Sequence, residues 1–362
     1  MEKELITNKQ GIMMTILFVL GSNLLLGIAE EAKRDSWIAA LLSIIMAVPA
    51  LLAYSRILSN FPGKNLFEIL QMVFGRFFGG VISILYIWYA FHLGSLVVRN
   101  FSEFINVIAL PETPELFIVI VFMLLCIWAV KDGIELLGKW SEFFTHLVIF
   151  FIIALVLLSI PNMEINNILP IMYNGPKPVI KGAISGFAFP FAETVIFTMV
   201  FGALKDKSSP YRILLTGMLV GGVILTIVAL MNILVLGEKF MSILYFSTYS
   251  SIRTVNVGGF IQRVEGSVAI SFMIAGFVKV CVCLLAACKG LAKVLKIESY
   301  RVIVTPVALL MAEVAYVNYI SITAMIDWNY RVYNIYALPF QVLLPIIILI
   351  GSEIKIRRSK KA

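Results

Sequence analysis

Charge is scarce in this sequence. Asp, Glu, Lys and Arg supply 14% of its 362 residues, against roughly 25% in an ordinary soluble domain. Histidine is scarcer still, with two copies, and there are four cysteines. No His or Cys pair has zinc-site spacing, and the two sulfurs of "CVC" (Cys281, Cys283) on a helix point about 200° apart. The cysteines, all in apolar stretches, read as small packing residues. No phosphate-binding glycine loop, HExxH or nucleophile elbow is found. These absences exclude the common routes to catalysis, and no cofactor or metal is implied. Long linkers and low-complexity tracts are missing too, which argues for one membrane domain.

What is abundant is apolar length. Hydrophobic residues make up 60% of the chain and the mean hydropathy is +0.98. One soluble core cannot hide so much apolar surface. Ten apolar runs are each about long enough to cross ~30 Å of hydrocarbon as a helix. They lie at about 11–29, 36–58, 80–107, 115–131, 142–160, 183–204, 212–237, 264–288, 302–322 and 334–352. The expectation is an all-α polytopic membrane protein with ten transmembrane helices. Residues 1–10 form an N-terminal tail, 11–352 the membrane domain, and 353–362 a basic C-terminal tail.

The N-terminus mixes acids with lysines and has no small-residue cleavage site after the first run, so it does not read as a removable signal peptide. Thr7 and Gln10 fit a capping box. Lysine and arginine fall more than twice as often on the side that holds both termini, which places both in the cytoplasm. The net charge of +8 is mostly this bias plus "KIRRSKK", a segment suited to anionic lipid. It needs no nucleic acid. Two longer connections, about 161–182 and 238–263, fall on the other side. The second is aromatic and Ser/Thr-rich, either a surface-hugging loop or a short interfacial helix that gates.

Five runs precede the first long connection and five follow. An odd number per half makes related halves inverted, and Gly- or Pro-interrupted spans at matching positions mark the binding site in such folds. Segment 1 carries Gly21-Ser22-Asn23 at its middle, and segment 6, "GFAFPFAETVIF", carries Gly186 and Pro190. Pro190 cannot bond the carbonyl four residues back, and backbone groups freed within a bilayer must face protein or a polar cavity. Beyond the break a new half-helix begins at Phe191-Ala192-Glu193, whose exposed N–H groups attract a carboxylate. That carboxylate is either Glu193 or part of a bound amino acid. A simple proline kink with close-packing glycines is the alternative.

Other polar residues sit inside apolar runs. Tyr89, His92, Arg99, Glu103 and Asn106 share one face of segment 3, and Arg99 and Glu103, at i and i+4, can pair. His92 is the deeper candidate for contact with a ligand or proton. Lys279 lies mid-span in segment 8 and requires a carboxylate, Glu193 or Glu313. Its ammonium can stand where a coupling cation would, carry protons, or serve as a structural counter-ion. Glu313, Asn232 and His146 read as helix-packing or interfacial groups.

These residues resemble a known family, the spore germination permeases. These are the membrane B subunits of nutrient germinant receptors, within the amino acid–polyamine–organocation superfamily. The resemblance rests on "AKRDSWIAALL" (32–42), "YSRILSNFPGKNLFEILQMVFGRFFG" (54–79), "LPETP" (110–114), "DGIELLGKWSEFF" (132–144), "GFAFPFAETVIF" (186–197), "FIQRVE" (260–265) and "SYRVIVTPV" (299–307). It implies a five-plus-five inverted repeat with segments 1 and 6 unwound around a small-molecule pocket. It also implies A and C partner subunits and the inner membrane of the spore. Carried over, the pocket uses Gly21, Ser22, Asn23, Phe187, Phe189, Pro190 and Glu193. The chain departs from the family at "LLLGIAEE", where relatives have a Leu-x-x-Pro element, and at Lys139, where Arg is common. Three functions follow: a sensor of a small nutrient such as an amino acid, a working amino acid or ion transporter, or a scaffold for the partner subunits.

Overall fold

The structure, a computed structural model, describes residues 4–206, 209–241, 243–255 and 265–359. Most of "FIQRVE" and the last residues of the basic tail lie outside these. Among the described residues the chain is helical, apart from one isolated bridge between Ile6 and Leu204. Seven helical stretches are long and apolar enough to cross a membrane: Glu30–Asn60, Leu66–Ala109, Ile134–Asn162, Pro176–Ala203, Pro210–Met241, Glu265–Leu295 and Ile322–Arg358. The other three expected segments form shorter or more charged helices. Segment 1 is split into α1 (Asn8–Leu20) and α2 (Asn23–Leu26). Segment 4 is Glu115–Asp132, with charge at both ends, and segment 9 is Val304–Val317, 14 residues long.

Large apolar side chains cover the outside. Leu124, Trp128, Phe150, Leu157, Ile335 and Ile350 are each more than half exposed, a surface that water does not tolerate over such an extent. The chain is a multi-pass membrane protein. Its most enclosed long helix besides segment 6 is Glu265–Leu295, which packs against α1 and against helices Leu66–Phe104 and Ile134–Ser159. Close approach is made possible by small residues. A Cβ on Gly217 would meet Thr15 at 2.5 Å, and one on Gly221 would meet Val19 at 2.8 Å, so Pro210–Met241 lies against α1 through a small-xxx-small face.

Several boundaries differ from expectation for local reasons. Segment 3 begins at Leu66 rather than 80, because Asn65 and Glu68 form a capping box and Gly75 turns the chain at φ 75°. Segment 5 begins at Ile134, directly after Gly133 at φ 102°. The last span begins near Ile322, twelve or so residues early, and its helix persists into the expected C-terminal tail as far as Ser359. In the second long connection, Ser247–Arg253 is a short helix.

At the N-terminus Thr7 caps α1. Its Oγ1 accepts from the Gln10 N–H at 3.3 Å, and the Gln10 side chain accepts from the Thr7 N–H at 2.9 Å. Thr7→Ala is expected to lower thermal stability in detergent by about 1 kcal/mol, read as a shifted unfolding midpoint. The preceding residues are tied down as well. Ile6 exchanges backbone bonds with Ala203 (3.0 Å) and Lys205 (2.9 Å). Glu4 accepts from Arg301 at 2.6 Å and from the Tyr300 hydroxyl at 3.1 Å.

Candidate functional site

Two spans come apart at the centre of the molecule. In the first, α1 stops at Leu20, Gly21 adopts φ 20°, ψ −128°, and α2 resumes at Asn23. In the second, the helix Pro176–Gly186 gives way to a wide turn over Phe187–Phe191 and a tight 3₁₀ turn over Ala192–Ile196. The non-helical residue is Phe189, at φ −136°, ψ 105°. Its place follows from steric chemistry: the ring of Pro190 drives the preceding residue out of the helical region. The freed carbonyls do not stay unmet. Ala188 accepts from Gln341 Nε2 at 2.8 Å, and the Tyr54 hydroxyl, which donates to the Gln341 carbonyl at 2.5 Å, lies 3.3 Å from that of Ala192.

Lys279 stands between the two breaks. Its Nζ lies 2.5 Å from Glu193 Oε2, with both side chains fully buried, and near the ring faces of Phe18 (5.0 Å) and Phe189 (4.8 Å). The other oxygen of Glu193 accepts from the Tyr333 hydroxyl. The lysine stem crosses Gly21 so closely that a Cβ there would sit 2.7 Å from Lys279 Cδ. Both oxygens of Glu193 are thus taken by side chains, the Lys279 ammonium and the Tyr333 hydroxyl.

Beside this cluster lies a cavity of about 370 Å³. It receives Asn23 from the first break, Phe189 and Glu193 from the second, Asn100 from segment 3, Met241 and Tyr245 from the second long connection, and Tyr330, Tyr333 and Asn334 from the last span. Asn23 is 1% exposed, and neither atom of its side-chain amide has a hydrogen-bond partner. Buried amides are as a rule hydrogen-bonded, to protein or to ordered water, so this one stands out.

The other candidates take different places. Gly21 seats the lysine stem, and Ser22 Oγ accepts from Asn100 at 3.1 Å. Pro190 is buried and Phe187 partly so, and neither lines the cavity. His92 also lies off it: the ring stacks on Trp88 at 5.3 Å, and Nδ1 is 3.0 Å from the Tyr336 hydroxyl. Arg99 and Glu103 pair at 2.5 Å in a separate buried network with Glu115 at 2.9 Å. Glu313 is exposed, Asn232 bonds Thr248 at 2.9 Å, and His146 bonds the Glu142 carbonyl at 2.6 Å. Among the described residues no group of three His, Cys, Asp or Glu is placed to hold a metal.

The last span supplies a face that sequence reasoning passed over. Ile326, Asn329, Tyr330, Tyr333 and Asn334 all line the cavity, at i, i+3, i+4, i+7 and i+8, the spacing of one helical face. Starting the tenth run at 334 left all but the last of these residues in a loop. The wide turns at Asn329–Tyr333 and Pro339–Leu343 are of the kind common at functional sites.

Comparison with known proteins places this geometry. A family model described as "Spore germination protein" matches residues 5–321. Spore germination protein KB of Bacillus subtilis (strain 168) is 28% identical over 366 residues, covering 100% of this chain and 98% of that one. The putative spore germination protein YfkT of the same organism is 23% identical, covering 88% and 87%. Among solved structures, the nucleobase–cation–symport-1 family transporter MHP1, closed with bromovinylhydantoin bound, superposes with a TM-score of 0.65 at 12% identity. It covers 98% of this chain and 91% of that one. A substrate-bound, outward-open Na⁺-coupled sialic acid symporter gives 0.67 at 10% identity, covering 98% and 89%. At such identities the two structures show the transporter fold alone.

Proposed function

The chain belongs to the spore germination protein family, and we propose that it is the membrane B subunit of a germinant receptor whose central cavity binds a small nutrient, an amino acid first among the classes. In this reading the ten segments form a five-plus-five inverted repeat, with segments 1 and 6 unwound at the site. Both termini face the cytoplasm across the inner membrane of the spore, and A and C subunits receive the signal. The single observation that carries the reading is the cavity between two interrupted spans, with the unpaired amide of Asn23 at its wall. A nutrient that completes those bonds in one conformation only would shift the receptor by its difference in affinity between states.

The test uses spores lacking the chain, complemented with wild type or with Asn23→Leu, together with equilibrium binding to the purified chain. Asn23→Leu removes both polar atoms of the amide and intrudes on the cavity. It is expected to raise the half-maximal nutrient concentration tenfold or more while the protein still reaches the membrane. An unchanged dose–response curve refutes the site.

A second reading, a working permease, is favoured by the buried Lys279–Glu193 pair. An ammonium between two breaks occupies ground where a transporter would hold a cation, and it can carry a proton. Uptake of labelled nutrient into proteoliposomes, driven by a pH gradient, is the expected result for that reading. Binding without uptake leaves the sensor.

A further inference from the structure

The groups facing the cavity are unequally satisfied. Four carboxylates line it: Glu30, Glu31, Glu193 and Glu238. Glu193 is held by Lys279. Glu238 is held by Arg34 at 2.7 Å and Lys33 at 3.5 Å, and Lys33 is also the one Lys or Arg among the lining residues. No lysine or arginine nitrogen among the described residues forms an ion pair with Glu30 or Glu31. Glu30 folds back over the bare backbone of Gly27, itself at φ 81°, and accepts from Ser247 at 3.1 Å and Tyr330 at 2.6 Å. Glu31 Oε1 is buried with no hydrogen-bond partner, and Ser185, another lining residue, is placed to hydrogen-bond the same carboxylate.

The remaining open groups point the same way. Asn23 Oδ1 and Asn334 Oδ1 are acceptors without donors, and Asn23 Nδ2 is a donor without an acceptor. With Glu31, the open acceptors outnumber the open donor groups. A guest that displaces water here must chiefly donate, and its charge must offset carboxylates rather than join them. An ammonium does both, with three N–H donors and a positive charge. A sugar or nucleoside donates without neutralising, and an anion is repelled. The rest of the wall, including Leu26, Val97, Phe189 and Leu244, suits an apolar body.

Resting on the reading of this cavity as the nutrient site, we propose that its ligand is a primary amine, anchored through the ammonium by Glu31 and Asn23, and that a ligand carboxylate is dispensable. The stretch Asn23–Glu31 is then the specificity element, and the departure "LLLGIAEE" supplies it.

The experiment measures binding to the purified full-length chain in lipid nanodiscs, with four probe classes. These are the common amino acids, their carboxamides, their N-acetyl derivatives, and the uncharged nutrients glucose and inosine. The expected result is that an amino acid and its carboxamide bind with dissociation constants within about tenfold of each other, while the N-acetyl form does not bind. In Glu31→Gln both amines weaken by about tenfold to a hundredfold, the effect of losing one charged hydrogen bond. Binding of an N-acetyl or uncharged probe in preference to the amines, abolished by Asn23→Leu, overturns the ammonium anchor and leaves the nutrient site standing. Equal amine affinity in wild type and Glu31→Gln also overturns it. Absence of binding in all four classes overturns the nutrient site and the anchor with it. The comparison of amide with N-acetyl probes needs only the wild-type chain, so it holds even where a variant fails to fold.

Discussion

Lys279→Met is expected to lower the stability of the chain by about 3–5 kcal/mol, the usual cost of removing one partner from a buried ion pair. The reason is in the surroundings. Glu193 is fully buried, its Oε2 sits 2.5 Å from the ammonium, and no other cation is paired with it among the described residues. Without the lysine a carboxylate is stranded between Phe189 and the second helix break, with the Tyr333 hydroxyl as its remaining donor. The double variant Lys279→Met/Glu193→Gln removes both charges, and its amide can still accept from Tyr333. It should recover most of the loss. The checks are the unfolding midpoint in detergent and the yield of monodisperse protein. A double variant no more stable than the single one would show that the pair does not act as a unit.

The second large effect is expected at Gly21. Alanine there meets two obstacles at once. The backbone at φ 20°, ψ −128° is one that side-chain-bearing residues rarely adopt, a strain of about 1–3 kcal/mol. The added Cβ would also lie 2.7 Å from Lys279 Cδ and 2.9 Å from the Phe18 carbonyl. The lysine must shift, and its short contact with Glu193 must lengthen. Gly21→Ala should therefore depress both stability and nutrient response, the latter by tenfold or more. Gly80→Ala is the matched control: it lies inside a helix with nothing within 4 Å of the Cβ position, and it should leave stability unchanged or raise it by up to about 1 kcal/mol. If the two alanine variants behave alike, the close crossing at Gly21 has no energetic weight.

The two positions show what was legible in the residues. A mid-span lysine demands a carboxylate, so Lys279 pointed to Glu193 or Glu313 without any coordinates, and the structure pairs it with Glu193. A proline in an apolar run demands a break, although the residue that leaves the helix is Phe189, one before it. Glycine was harder to interpret. Gly21 looks like a place for a guest molecule, yet the space it leaves is filled by Lys279, and no periodicity reveals which distant side chain crosses a given glycine. His92 shows the same limit: Trp88, one turn before it, stacks on its ring, but Trp328 and Tyr336, which close the aromatic nest, come from a span 240 or so residues away. Asn329, Tyr330 and Tyr333 were hidden for a different reason. Asn, Arg and Tyr dilute the mean hydropathy of the last span at its start, so a length-and-apolarity criterion trims the very residues that turn inward. Their helical spacing was readable all along.

The backbone bonds of Ile6 to Ala203 and Lys205 have a mechanical meaning. They splice the residues just ahead of the first interrupted span to those just after the second, so one end of each shares an anchorage. A displacement of either end must drag its neighbour or tear two peptide hydrogen bonds. A shift of α1 at its broken end would be felt at this shared anchorage, some four helical turns away.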